Sequence, residues 1–419
     1  MHHFEYKGKV LHAENVPVTE IAETIGTPFY LYSHATLKHH FEVFDRAFKK
    51  IPHITCFSVK SNSNIAILRL FGKLGGGADI VSGGELFRAI RAGVPPDKIV
   101  YSGVGKTREE ISYALESGIL LFNVESLEEL DAIDECAGKL GKKARIALRV
   151  NPDVDPKTHP YISTGLEKNK FGLDVKISVE AYKKAQAMDN ISVVGIDCHI
   201  GSQLTELSPF VDALSRLKAL IDELKTYGIL IKYLDLGGGL GITYNDEKPP
   251  HPIQYAEEII KTVLDLGCTL ILEPGRVIVG NAGILVTRVL YSKKTSKKKF
   301  LIVDAGMNDL VRPSLYGSYH HIQPVVEENR ERETVDVVGP ICESGDFLAQ
   351  DRELPRCESG DYLAVMSAGA YGFVMASNYN SRLRPAEVMV KENEFYVIRE
   401  RETYEDLIAK EKIPGFLED

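Results

Sequence analysis

Eight short apolar runs, at 57–60, 78–82, 99–102, 120–123, 146–151, 194–199, 233–236 and 270–273, each end in polar or glycine-rich sequence. Segments of helical period separate them. The first, 35–50, carries Leu37, Phe41, Phe44 and Phe48 at i, i+4, i+7 and i+11, one face of a helix. Further helical stretches are expected at 64–74, 85–92, 108–117, 127–140, 179–188, 210–227 and 254–266. Strands alternating with helices at this spacing imply a parallel sheet, and eight such units can close it. The expected fold is α/β, a (β/α)8 TIM-type barrel over residues 28–280. In such barrels reactive groups gather at the carboxyl ends of the strands.

Beyond residue 280 the texture changes. Short β-rich runs at 284–291, 300–304, 334–338, 362–366, 387–390 and 395–399 are separated by charged turns, which predicts a C-terminal all-β domain. Residues 1–27 are too few to fold alone and are expected to complete it, so the second domain is 1–27 plus 281–419. One connection, 152–174, is longer than an ordinary barrel loop. It reads either as a lid on the active-site face or as a solvated excursion without a role.

Composition narrows the function. With 50 basic against 59 acidic residues the net charge is −9, which disfavours nucleic acid as a partner. The run Lys293-Lys294-Thr295-Ser296-Lys297-Lys298-Lys299 is sufficiently explained as a solvated hairpin turn. No apolar run approaches the ~18 residues of a membrane span, and residues 1–10 lack the apolar core of a secretory signal. Six cysteines without C-x-x-C spacing suggest a reducing compartment, so a cytoplasmic location is expected. The twelve histidines include adjacent pairs but no H-E-x-x-H pattern, and no metal site is expected.

The chemistry centres on Lys60, in Phe57-Ser58-Val59-Lys60-Ser61-Asn62 at the end of the first run. A lysine there can bind a phosphate or carboxylate. With apolar Phe57 and Val59 beside it, it can instead be a neutral nucleophile that attaches a carbonyl cofactor. Three features fit pyridoxal phosphate. Gly237-Gly238-Gly239-Leu240-Gly241 offers unobstructed backbone N–H groups after the seventh strand, although a tight turn also explains it. Glu273, in Glu273-Pro274-Gly275-Arg276, can hold a pyridine nitrogen protonated; a salt bridge to Arg276 is the alternative. His199 can stack on a ring, with Ser202 bonding phosphate, or be a satisfied buried histidine.

These residues together resemble the fold-type III pyridoxal-phosphate decarboxylases, which act on ornithine, arginine and diaminopimelate, with alanine racemase more distant. Within that group the chain is most similar to the diaminopimelate decarboxylases. The likeness rests on the Lys60, His199-Ile-Gly-Ser-Gln203, Gly237–Gly239 and Glu273-Pro-Gly-Arg276 motifs. It extends to Asn151–Gly165, Lys168–Gly172, Arg312–Tyr316, Cys342-Glu-Ser-Gly-Asp346, Ala368-Gly-Ala-Tyr371 and Asn378–Arg382. Phe57 and Ser61 stand where Tyr and Ala are usual, and Leu383 where proline is common; none of these is a reacting group.

The resemblance implies pyridoxal 5'-phosphate joined to Lys60, Glu273 at its ring nitrogen and His199 over its face. Ser202, Gly238, Gly239, Gly275 and Arg276 would hold phosphate, and Tyr371 would touch cofactor and substrate. Arg276, Arg312 and Tyr316 would grip the distal carboxylate, and Glu343 the distal ammonium. Cys342 would come from the partner of a homodimer and supply a proton. The implied reaction is decarboxylation of meso-2,6-diaminopimelate to L-lysine, the last step of bacterial-type lysine biosynthesis. Read without the resemblance, Cys342 is more readily a small buried strand-end residue, and Arg312 and Tyr316 can be surface residues at a turn. Other outcomes at this level are a decarboxylase for a different basic amino acid, a racemase, and a non-catalytic regulator that keeps the fold.

Overall fold

The computed structural model describes residues 2–154 and 170–417. It resolves into two compact units, one of residues 37–280 and one of residues 1–36 with 281–419.

The first unit is a closed parallel barrel. Its strands are His53–Ser58, Gly77–Ile80, Ile99–Tyr101, Leu121–Val124, Ala144–Asn151, Ile191–Asp197, Tyr233–Asp235 and Thr269–Leu272. Each pairs with its sequence neighbours, and Thr269–Leu272 returns to pair with His53–Ser58, which leaves no free edge. The centre is filled from several strands at once, by Cys56, Val100, Leu121, Ala147, Val194 and Ile271. Burying Val100, Leu121, Val194 and Ile271 contributes about 1.5–3 kcal/mol each. The stripe of Leu37, Phe41, Phe44 and Phe48 is buried, with Phe41 stacked on Phe71 and Phe71 against Phe57 of the first strand.

Helix starts are fixed by local chemistry close to the strand ends. Ser82, Thr107 and Ser126 cap the helices Gly83–Ala92, Arg108–Ser117 and Leu127–Lys139 by accepting a backbone N–H with the side chain. At Thr107 the reciprocal bond from Glu110 completes a capping box. Short, capped loops hold the strand ends firmly, which is what a site built on them requires.

The second unit is β-rich. The hairpin-like strands Phe4–Lys7, Val10–Ala13 and Val16–Pro17 form one small sheet. A nine-stranded sheet is organised around the twelve-residue strand Gly283–Lys294, which pairs with Phe29–Ser33, Lys299–Val303 and Tyr362–Val365. The short strand Ile322–Pro324 falls outside the expected runs, and two longer segments also differ from the sequence reading. Phe29–Ser33, placed inside the barrel's expected range, pairs in parallel with Ala386–Lys391 and antiparallel with Gly283–Lys294 in this unit. All five of its residues are buried, and a short run buried on both faces carries no periodicity that says which sheet will take it. The nine-residue strand Phe347–Pro355 was not anticipated. It lies at the sheet edge, exposes Asp351 and Glu353, and so lacks an apolar signature. Within the basic run, Lys298 and Lys299 pair with Asp336 and Glu333. The run closes the hairpin between Gly283–Lys294 and Lys299–Val303, with two of its five lysines held by acids of the neighbouring strands.

Candidate active site

Lys60 lies in the 3-10 turn Val59–Ser61, immediately after the first barrel strand. Phe57 and Val59 are buried, but the Lys60 ammonium is not in an apolar sleeve: its Nζ sits 2.6 Å from Oδ2 of Asp79. The parallel register sets Ser58 opposite Asp79, bringing that carboxylate beside the turn. Ser58 Oγ lies 2.8 Å from the same Asp79 oxygen and 2.9 Å from the Glu273 carbonyl, linking strands one, two and eight.

Glu273 follows the eighth strand and is 4 % exposed. Burial pushes its carboxyl well above the usual range; the charges of Asp235 and Asp79 add to this, and Lys60 opposes it. Burial also raises Asp235 to about 7, with the charge of Asp197 adding, while Asn123 and the Gly237 N–H pull it down. Asp197, buried at the end of strand six, is raised as well, although Arg149 opposes the shift. Arg149 pairs with Glu125 at 2.7 Å and lies 3.7 Å from Asp197. More buried acid than base thus faces the carboxyl mouth of the barrel.

His199 is half-buried, and its Nδ1 accepts the Gly238 N–H at 3.2 Å, which leaves Nε2 as the protonated nitrogen. Burial, then the positive charges of Arg149 and Lys60, lower its pKa well below the ordinary histidine value. A neutral ring in this position can cover a cationic heterocycle without repulsion.

The glycines after strand seven are dictated by close approach. A Cβ at Gly238 would lie 2.2 Å from the Glu273 carbonyl oxygen, and one at Gly237 would lie 2.4 Å from His199 Nδ1. Gly275 packs on the lysine turn, where a Cβ would meet Ser61 Oγ at 2.9 Å. The loops after strands six and seven are joined by Gln203, whose amide bonds Ile242 O at 2.6 Å and Ile242 N at 3.1 Å. Arg276 is buried, with its guanidinium 3.1 Å from Ser202 Oγ and 2.7 Å from the Tyr244 hydroxyl.

Lys60, His199, Ser202, Gly238, Gly239, Glu273, Gly275 and Arg276 therefore converge on four adjacent strand ends: six, seven, eight and one. An amine, a ring-covering imidazole, a buried carboxyl and a glycine-lined cradle beside Ser202 and Arg276 form a donor set that fits pyridoxal phosphate. Among the described residues, buried Asp79 Oδ1, Asn123 Oδ1 and Asp197 Oδ1 have no hydrogen-bond partner, which shows how polar this interior is. Among the described residues, no cluster of His, Cys, Asp and Glu is arranged to hold a metal ion.

The remaining expected residues lie in the β-rich unit. Arg312 is buried rather than at a surface turn: its Nε bonds His320 Nε2 at 3.3 Å and its guanidinium lies over the Tyr316 ring. Cys342 is the one exposed cysteine of the six, so it is not a packing residue in this chain. Its backbone N–H is held at 2.7 Å by Asn380 Oδ1, and neighbouring Glu343 is exposed, 3.4 Å from the Tyr379 hydroxyl. Tyr371 has φ of 54°, a strained conformation for a tyrosine. Most of the 152–174 connection, the expected lid, falls outside the described residues.

Comparison with known proteins agrees with this chemistry. Residues 34–280 match the family described as pyridoxal-dependent decarboxylase, pyridoxal binding domain. The diaminopimelate decarboxylase of Haemophilus influenzae is 54 % identical over 98 % of this chain and 99 % of its own. The chain belongs to the diaminopimelate decarboxylase family. It thereby joins a group of pyridoxal-dependent carboxy-lyases with the same barrel-plus-sheet fold. The structure of the M. jannaschii diaminopimelate decarboxylase in co-complex with L-lysine superposes with a TM-score of 0.95. That chain is 46 % identical, over 99 % of this chain and 98 % of its own. The Helicobacter pylori family member, complexed with L-lysine, gives 0.91 at 45 % identity, over 94 % of this chain and 98 % of its own.

Sequence reasoning missed several members of the barrel mouth: Asp79, Asn123, Glu125, Arg149, Asp197 and Asp235. A signal was available. Each is a charged or amide side chain at the end of a run otherwise buried in a parallel sheet, where such groups are rare unless paired or functional.

Proposed function

We infer that the protein removes carbon dioxide from meso-2,6-diaminopimelate to yield L-lysine, using pyridoxal phosphate carried on Lys60. The observation that carries this is the convergence of Lys60, buried Glu273 and the Gly237–Gly239 cradle on neighbouring strand ends, in a chain about half identical to diaminopimelate decarboxylases along its length. The reaction closes lysine biosynthesis of the bacterial type, and the proposed location is the cytoplasm. Among the described residues, no helix is long and apolar enough to cross a membrane.

When bound, the cofactor supplies an electron sink for the pair left behind as the C–C bond breaks. The chain's own groups do the rest. Lys60 Nζ would hold the cofactor, and Asp79 holds that nitrogen when it is not so engaged. Glu273 would keep the ring nitrogen protonated, and neutral His199 would cover the ring face. Ser202, Gly238, Gly239, Gly275 and Arg276 hold the phosphate, and Tyr371 borders cofactor and substrate.

Specificity follows from the substrate's distal end, which is a second amino-acid head with both charges. Arg276, Arg312 and Tyr316 bind its carboxylate and Glu343 its ammonium. Ornithine and arginine lack the distal carboxylate and would forgo the contacts these residues make to it, a loss a polar site penalises strongly. Cys342, with its thiol exposed in a single chain, delivers a proton to the former α-carbon in the site of a second copy. The working form is therefore a homodimer with shared sites. Carbon dioxide release from diaminopimelate, ornithine and arginine tests the reading. Turnover confined to diaminopimelate is expected; turnover only on a substrate without a distal carboxylate would overturn it.

A further inference from the structure

The carboxyls of Asp235 and Glu273 are held by one buried amide. Asn123 Nδ2 lies 3.0 Å from Asp235 Oδ2, 3.1 Å from Ser102 Oγ and 3.4 Å from Glu273 Oε1. An amide nitrogen has two hydrogens for these three acceptors, so the shorter contacts, to Asp235 and Ser102, take them. Asp235 receives a second donor, the Gly237 N–H, at 2.9 Å on its other oxygen. Among the described residues Glu273 receives the longer approaches, from Ser102 Oγ at 3.3 Å and Asn123 Nδ2 at 3.4 Å, and its carboxyl hydrogen-bonds Asp235. Both side chains are buried, so two negative charges this close are not both tolerated and one proton must lie between them. The donor count decides where it sits. Asp235, with two N–H donors, is the ionised member, and Glu273 donates to it. Around the pair stand Asp79, Lys60, Asp197, Arg149, Glu125 and Cys56. Lys60 is engaged with Asp79, and Arg149 with Glu125 and Asp197.

We propose that Asp235, anchored by Asn123, is a positioning residue that stores a proton on Glu273 in the cofactor-free protein, so that Glu273 brings to the ring nitrogen the proton the ring needs. The inference rests on Glu273 being the partner of that nitrogen. On loading, the Glu273 O–H bond breaks and an N–H bond forms with the nitrogen lone pair. Glu273 becomes a carboxylate beside a pyridinium, no proton is drawn from water, and nothing is oxidised or reduced. Asp235 keeps its charge, and the positive charge gained by the ring nitrogen is what then makes the second carboxylate, on Glu273, tolerable.

The test is calorimetric titration of pyridoxal phosphate into cofactor-stripped full-length protein. Two buffers of different protonation enthalpy are used, at a pH where the ring nitrogen of the free cofactor is unprotonated. In Asp235→Asn the amide donates to Glu273 and leaves it ionised, so this variant is expected to take up close to one more proton per site than wild type. Equal proton counts would overturn the proposal. Should that variant not fold, infrared difference spectra of the wild type decide it. Loading should remove a deuterium-sensitive C=O band of a protonated carboxylic acid that Glu273→Gln lacks, and absence of the band overturns the proposal. Wild type that binds no pyridoxal phosphate at all removes the cofactor reading itself, a result distinct from either of these.

Discussion

Lys60 Nζ lies 2.6 Å from Asp79 Oδ2, across the parallel register that pairs the first two barrel strands. The Asp79 side chain is wholly buried, while that of Lys60 keeps 31 % of its surface exposed. The contact thus holds a partly exposed side chain against a buried one. In the proposed role, where Lys60 attaches a cofactor and releases a product amine, Asp79 is its resting partner.

Asp79→Asn keeps the shape and a hydrogen-bond acceptor but removes the charge that aligns Lys60. The expected outcome is a kcat lower by ~10²-fold, the scale of a misplaced reacting group, with a small change in KM. Steady-state carbon dioxide release checks it. Unchanged kcat would show that the pair has no part in turnover.

Gly238→Ala should cost the cofactor its cradle, because the added carbon would meet the Glu273 carbonyl at 2.2 Å and force the ends of strands seven and eight apart. We expect pyridoxal phosphate to be lost on dialysis under conditions where wild type retains it. Gly105→Ala is the control, since nothing lies within 4 Å of the added carbon there. Equal retention by all three proteins would contradict the assignment.

The eight barrel strands were legible because a parallel strand covered on both faces must be a short apolar run. Lys60 and Glu273 stood out as the charged residues ending the first and last of them. The partnership with Asp79 was not legible. It depends on which residues of two strands face each other, and apolar runs at 57–60 and 78–82 do not state a register. Phe29–Ser33 was misplaced for a related reason: burial on both faces looks the same in a barrel and in a sheet. Exposed Cys342 and buried Arg312 reversed what isolated sequence suggests, since their environments come from distant segments, Asn380 and His320.

Glu402 gives a pH prediction. Burial pushes its carboxyl up, but hydrogen bonds from the Arg384 side chain and backbone and from Asn378 outweigh this and lower it to about 2. A depressed acid contributes stability above its unfolded value and loses it as pH falls through the folded value. The link between the Glu402 segment and residues 378–384 should therefore weaken between the ordinary glutamate range and about pH 2. Allowing for solvent screening, the effect is about 1 kcal/mol. Hydrogen exchange of the Arg384 amide, which donates to Glu402 at 2.9 Å, reports it. Protection should fall with acid in wild type and be low and flat in Glu402→Gln.

Subunit mixing tests the shared site. Lys60→Ala and Cys342→Ala should each be inactive alone. If Cys342 serves the partner's Lys60 site, random mixed dimers regain one intact site, and activity should return to about a quarter of wild type. No recovery after verified subunit exchange would place both residues in the same chain's site.

The central claim is that the side chain of residue 60 carries the cofactor. Reducing the holoprotein with borohydride and mapping the product by mass spectrometry tests this most directly. One pyridoxyl-phosphate adduct per chain on the peptide containing Lys60 is the predicted result. An adduct on a different lysine, or none after saturation with pyridoxal phosphate, would contradict the account.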